Sequence, residues 1–360
     1  MIKGVNLGNW LVLEKWMSPE LFDGTTAEDE TYLCKELSEV AKQERLKVHR
    51  DSYITARDFA YLADKGIDVV RIPVPFFIFG GYEPYVGCIE YLDKAFAWAE
   101  KYGLKILIDL HTVPDSQNGF DNGGLCGVCK WHKNPAHVEF AITVLEKLTM
   151  RYKDRKSLWG IGLLNEPISQ ELWDLIDLPN RYKAVDPEAA RGSEPVPTAF
   201  LKQFYTDAYR RIRAISEDVT IVFQDGFRIR EWVGFLKEPE FKNFLVDTHP
   251  YLMGYRGDES LEGYLKHIED DFASMVKEMA QYFPVIIGEW CINTPSKKVA
   301  ALSIAEKRSY YQQIAAAQLK AWECAVGWFY WSYKLHRDDP AVDGWDMGKA
   351  MELGYFPKKL

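Results

Sequence analysis

Eight short apolar runs recur along this chain of 360 residues, and helical patterns lie between them. The runs fall at 4–7, 69–72, 105–109, 158–164, 220–224, 245–247, 285–288 and 327–331. Amphipathic stretches at 55–65, 88–102, 138–152, 199–216, 261–282 and 304–324 separate them. Strands alternating with helices build a parallel sheet, because each crossover returns the chain to the same end. Eight such strands predict an α/β fold, a single (β/α)8 TIM barrel with long βα loops. A doubly wound open sheet is the alternative, and no G-x-G-x-x-G turn follows any strand to support it. No repeat, low-complexity tract or linker breaks the pattern, so residues 1–360 read as one domain.

A barrel of this kind carries its chemistry at the carboxyl ends of its strands. The strand exits are polar here: Asn6 and Asn9, Arg71, Asp109 and His111, Asn165 and Glu166, Asp225, His249 and Tyr251, Glu289, and then Trp331. Two exits stand out. Leu163-Leu164-Asn165-Glu166-Pro167 and Ile286-Ile287-Gly288-Glu289-Trp290 each run an apolar strand into a glutamate. A carboxylate at the mouth of a buried strand is expensive unless paired, so it signals either an ion pair or a function. Two of them across one barrel mouth suit glycosidic-bond cleavage, in which one carboxyl protonates the leaving oxygen and the other attacks or activates water. The longest insertions read as 112–135 and 167–198; both follow strand exits and should wall the pocket.

Composition narrows the partners. A net charge of −9 argues against nucleic acid, which needs a basic face. No apolar run reaches the length of a membrane span. Twelve Trp, 20 Tyr and 19 Phe suit either large cores or a sugar site, where flat rings meet the C–H faces of pyranoses. The first residues, Met1-Ile2-Lys3-Gly4-Val5, enter a strand without a charged-then-apolar leader. The expected location is therefore cytoplasmic, or secreted if a leader has been removed. The six cysteines are expected to be mostly free thiols in a reducing compartment.

In order along the chain, Arg71-Ile72-Pro73, Asp109-Leu110-His111, Asn165-Glu166-Pro167, His249-x-Tyr251, Gly288-Glu289 and Trp331-Ser332 resemble the signatures of family 5 of the glycoside hydrolases. Within that family the chain is similar to fungal exo-β-1,3-glucanases. The passages that carry this are 4–14, 116–124 and 327–334, together with Trp345-Asp346-Met347. The resemblance implies a retaining β-glucosidic hydrolase, exo-acting on β-1,3-gluco-oligosaccharides, with Glu166 as acid/base, Glu289 as nucleophile and no cofactor. It implies that Arg71 keeps the nucleophile ionised and that Asn165 binds the sugar 2-hydroxyl. Tyr251 would touch the nucleophile, His111 and His249 would position sugar and acid/base, and Trp331 would floor the reacting ring's subsite. Glu14, Asp121 and Asn122 would hold the non-reducing-end hydroxyls, and Phe120 would stack on the leaving sugar. The fungal enzymes carry a second leaving-group aromatic after strand six; here only Tyr255 offers an approximate substitute.

Other readings stay open at this point. The substrate could be an aryl, lipid or plant β-glucoside, or the enzyme an endo-β-1,4-glucanase. A metal-dependent barrel hydrolase using Asp109, His111 and His249 and a non-catalytic carbohydrate-binding barrel are the other classes. Cys126, Cys129, His132 and His137 have residue types that suit zinc. Their crowding into 126–137 is tight for a structural site, so free thiols in a pocket wall are the expectation.

Overall fold

A computed structural model describes residues 1–237 and 239–360. Eight strands, β1 (Ile2–Asn6), β2 (Val69–Val74), β3 (Lys105–Leu110), β4 (Leu158–Gly162), β5 (Thr220–Gln224), β6 (Phe244–Thr248), β7 (Val285–Trp290) and β8 (Gly327–Tyr330), close into one barrel. Neighbours pair in parallel all the way round, and β8 returns to β1 through Ile2 against Gly327 and Gly4 against Phe329. The (β/α)8 expectation holds.

Side chains on a strand alternate between faces, and that period of two builds the site. Val69, Leu107, Val222, Leu245, Ile286 and Phe329 form a separate apolar cluster inside the barrel. Two residues further along the same strands stand Arg71, Asp109, Gln224, Asp247, Gly288 and Trp331. A polar layer thus rests on an apolar plug. The intervening residues, Val70, Ile72, Ile106, Ile108, Val246 and Ile287, face outward into the large core shared with the helices. Glycine makes room where the polar layer is crowded: a Cβ on Gly288 would lie 2.0 Å from Asp247 Oδ1.

Helix ends follow local chemistry. Thr55 and Asp58 form a capping box on the helix Ala56–Asp64, as do Ser303 and Glu306 on Ile304–Ala321. The stretch read as one helix over 261–282 is three pieces: Leu261–His267, a π-helical turn Ile268–Ala273, and Ser274–Met279. The longest excursion was also misplaced by sequence. It follows β1, spans 7–55, and holds the helices Glu30–Glu36 and Glu39–Tyr53. Both are largely polar, so no apolar stripe announces them. Among the described residues no helix is long and apolar enough to cross a membrane.

Candidate active site

Glu289 and Glu166 arrive at the barrel mouth by different local devices. The β7–β8 register shifts between Ile287 and Trp290, an irregularity that re-aims a side chain. Glu289 is turned onto Arg71 there. After β4 the backbone leaves the ladder, with Asn165 N–H still bonded to Leu110 O at 2.8 Å. The next residue, Glu166, has φ +45°. A left-handed glutamate costs on the order of 1–3 kcal/mol and persists only where its surroundings hold it.

Each oxygen of the two carboxylates accepts a hydrogen bond. Glu289 Oε1 takes one from Arg71 at 2.8 Å, and Oε2 takes one from Tyr251 Oη at 2.8 Å. Glu166 Oε1 lies 2.8 Å from His249 Nδ1, and Oε2 accepts from Asn122 Nδ2 at 2.9 Å. One oxygen from each glutamate and a ring nitrogen of His249 all lie within 4.8 Å of one another. Among the described residues this is the one group of three or more His, Cys, Asp or Glu close enough to share a cation. Its acceptors are already engaged by protein donors, and Arg71 supplies a fixed positive charge.

Arg71 is fully buried and is the hub of the floor. It also donates to Asn6 Oδ1 and Asn165 Oδ1, each at 2.8 Å, and pairs with Asp109 at 3.1 Å. That bond orients the Asn165 amide, whose Nδ2 faces His111 Nε2 at 3.3 Å. His111 Nδ1 is held by Asp109 at 2.7 Å, and its ring stacks on Trp331 at 5.6 Å and 7°. Gln117 ties the backbone carbonyls of His111 and Asn165 together at 2.8 and 2.7 Å.

Electrostatics sets the two glutamates apart. Burial raises the Glu289 carboxyl above its ordinary value, and the His249 and Arg71 charges only partly offset it. Burial also acts on Glu166, but the hydrogen bond and charge of His249 outweigh it and leave this carboxyl lowered. His249 itself is penalised by burial, yet Glu289, Asp247 and Glu166 hold it protonated well above the usual histidine range. His249 is thus favoured as an imidazolium beside an ionised Glu166.

The rim holds the other expected residues. Glu14, 4% exposed, accepts from Trp16 Nε1 at 2.7 Å through Oε2, while Oε1 has no hydrogen-bond partner among the described residues. Burial and then the Asp121 charge raise Glu14 well above the carboxylate range, and burial raises Asp121 to about 6. Asn118 donates to Asn122 Oδ1 at 3.1 Å, which fixes the Asn122 amide with its nitrogen on Glu166. Phe120 is buried against Tyr182 at 5.2 Å. Tyr255 does not join that pair; its ring stacks on His267 at 4.4 Å and packs on Tyr264 at 5.6 Å.

Sequence reasoning missed Asp247, which anchors His249 Nε2 at 3.3 Å, as well as Gln117, Trp16 and Tyr182. Asp247 was legible as the polar end of an apolar strand. The other three sit in loops with no periodic signal. The cysteine–histidine set does not converge: Cys126 Sγ lies 4.0 Å from Glu28 O, His132 3.5 Å from Glu194, and His137 3.1 Å from Asp115. All six cysteines are unpaired, five of them buried.

Comparison with known proteins agrees with this geometry. The profile of the cellulase family (glycosyl hydrolase family 5) matches residues 35–336. A probable glucan 1,3-beta-glucosidase A of Emericella nidulans is 33% identical, covering 100% of this chain and 90% of that protein. Glucan 1,3-beta-glucosidase 1 of Schizosaccharomyces pombe is 30% identical over 99% of this chain and 88% of its own. In fold, the chain is similar to a rutinosidase from Aspergillus niger, with a TM-score of 0.80 at 23% identity over 98% of this chain and 97% of that one. With the family profile spanning most of the barrel and relatives aligned end to end, this chain belongs to glycosyl hydrolase family 5.

Proposed function

We infer that the protein is a retaining glycosidase that removes single glucose units from the non-reducing end of β-1,3-gluco-oligosaccharides. One observation carries this: two buried glutamates, differently partnered, whose nearest oxygens lie within 4.8 Å. Retaining enzymes hold their carboxyls about 5–5.5 Å apart, while inverting ones need roughly 6.5–9.5 Å to admit water. The glucan 1,3-beta-glucosidase relatives support the linkage.

In the first step Glu289 attacks the anomeric carbon while Glu166 protonates the departing oxygen. The proton comes through the 2.8 Å contact with His249, whose imidazolium then becomes neutral. Esterification removes the Glu289 charge, which had helped to keep His249 protonated. Glu166, again an acceptor, deprotonates the water that opens the ester and hands that proton back to His249 as the Glu289 carboxylate is released, so the starting state returns and the configuration is retained. Asn165, clamped by Arg71, offers its amide to the sugar 2-hydroxyl, a contact expected to tighten in the transition state. Trp331 floors the ring, and His111, stacked on it, reaches the same sugar. The chemistry needs no cofactor.

Exo action rests on the rim. The free Glu14 oxygen and the Asp121-Asn122 turn meet the hydroxyls at the non-reducing end. A buried acceptor without a partner costs about 1–3 kcal/mol, and a sugar hydroxyl relieves it. The reading extends to one catalytic domain over 1–360 and, from the unpaired thiols, to a reducing compartment such as the cytoplasm. Product analysis on β-1,3-, β-1,4- and β-1,6-linked glucose oligomers tests it. Single glucose released fastest from the β-1,3 series is expected; a ladder of longer products would overturn exo action.

A further inference from the structure

The aromatic wall on the acid/base side comes from two loops. Phe120 belongs to the loop after β3, two residues before the Asn122 that donates to Glu166. Tyr182 belongs to the loop after β4. The two loops are interlocked. Gly127 has φ +72°, and a Cβ there would lie 2.5 Å from Ala184 N and 2.6 Å from Tyr182 O. Cys129 N–H donates to Ser193 Oγ at 3.0 Å, Glu194 N–H to Cys129 O at 3.1 Å, and Ile168 N–H to Gln117 O at 3.2 Å. The two loops are therefore tied together upstream and downstream of Tyr182, and Gly127 packs directly against its carbonyl.

The consequence is a ring contact of 5.2 Å at 42° between Phe120 and Tyr182. That is too close for a sandwich. A sugar held between two rings needs about 3.5–4 Å on each face, roughly 7 Å or more in all. The two rings instead form one continuous corner. The Tyr182 hydroxyl makes no hydrogen bond to protein among the described residues, although Phe120 is buried beside it. Burial, and then the charge of Asp121, pushes this phenol above the ordinary tyrosine range, so it remains an O–H donor. Its ring partner Phe120 lies two residues from Asn122, whose Nδ2 donates to Glu166 Oε2 at 2.9 Å, which sets this corner on the acid/base side of the site.

Resting on the glycosidase reading above, we propose that Tyr182 is a specificity-determining residue of the leaving-group subsite. The leaving glucose packs one C–H face on Phe120 and accepts a hydrogen bond from Tyr182 Oη, without a second stacking ring from Tyr255. The acid/base must reach the oxygen of the departing group, so side chains continuous with Asn122 and Glu166 flank that group. Recognition on one face and by one hydroxyl admits leaving groups of varied bulk on the open side.

The test compares a β-1,3-linked glucose disaccharide with β-glucosyl fluoride, which reaches the same glycosyl-enzyme without a leaving sugar. In Tyr182→Ala the ratio of kcat/KM for disaccharide over fluoride should fall about tenfold, through lost stacking and hydrogen bonding. In Tyr182→Phe, which lacks only the donor, it should fall about threefold. A ratio that stays constant, whether both rates drop together or neither does, overturns the proposal. So does a fall confined to Tyr255→Ala. Disaccharide cleavage by the unaltered protein tests the underlying reading separately, since it does not depend on position 182.

Discussion

Tyr251→Phe isolates the support of Glu289, the proposed nucleophile. The substitution removes one oxygen and keeps the ring, which packs on Trp345 at 5.3 Å. Glu289 Oε2 then loses its 2.8 Å donor and retains only His249 Nδ1 at 3.6 Å, beyond hydrogen-bond range. A hydrogen bond to a charged acceptor contributes about 1.5–3 kcal/mol, so kcat/KM should fall about tenfold to a hundredfold. A second effect has a definite sign. A donor to the ionised form favours ionisation, and its loss favours the protonated carboxyl. Glu289 already sits above its ordinary value because it is buried. The acidic limb of kcat/KM, which reports the ionised nucleophile in the free enzyme, should therefore move to higher pH. The assay is kcat/KM on an aryl β-glucoside across the acid half of the profile. A loss under about twofold with an unmoved limb would refute the idea that this contact sustains the nucleophile.

Three further outcomes are expected. Glu166→Ala should slow hydrolysis of sugar-linked substrates by about 10²–10⁴-fold. Aryl glucosides with acidic phenols should be hurt far less in the first step, and added azide should yield a β-glucosyl azide; equal losses on both substrates would remove Glu166 from the acid role. Gly288→Ala drives a Cβ to 2.0 Å from Asp247 Oδ1, and the forced repacking should cost about 1–3 kcal/mol in urea unfolding. An unchanged urea midpoint would count against the crowded polar layer. Glu30 is buried beside Arg50 at 3.7 Å, and burial pushes its carboxyl up to about 7 from 4.5. The native state then binds more protons than the unfolded chain between those values, so this group's contribution to stability falls as pH rises through that window. Glu30→Gln should flatten that decline in the melting temperature, and an identical slope would rule Glu30 out as its source.

Much of the barrel was legible because strands buried on both faces read as nearly unbroken apolar runs. The expected β5, 220–224, coincides with Thr220–Gln224, and the others err by a residue or two at their ends. The site's floor was legible for the same reason: a polar residue interrupting such a run at its exit is conspicuous, as with Arg71, Asp109 and Glu289. What escaped notice depends on contacts between loops. Trp16 looks like any surface aromatic until its indole is seen on Glu14. Tyr182 lies among Arg181, Lys183 and Asp186, a polar setting that gives no hint of Phe120. The buried face of the helix Glu39–Tyr53 mixes Lys42, His49 and Arg50 with Leu46 and Tyr53, so it carries no continuous apolar stripe. In 261–282, an extra residue in the π-helical turn resets which side faces the core, a change periodicity cannot register.

The location of one proton links the geometry to the chemistry. Glu166 and Glu289 cannot both remain ionised within 4.8 Å without a cation, and the site provides two: Arg71 as a permanent one, His249 as a conditional one. Arg71 bonds Glu289 and leaves Glu166 untouched, so the two carboxyls are made unequal by their partners rather than by their distance from water. His249 bridges them, 2.8 Å from Glu166 and 3.6 Å from Glu289, with Asp247 on its other nitrogen at 3.3 Å. A bound sugar removes water from this cluster and strengthens the penalty on separated charge. Passing the proton from imidazolium to Glu166 converts an ion pair into a neutral acid beside a neutral base, the form a dry pocket favours. A lowered Glu166 and a raised Glu289 are thus compatible with acid catalysis by Glu166, because binding the substrate changes where the proton is most stable.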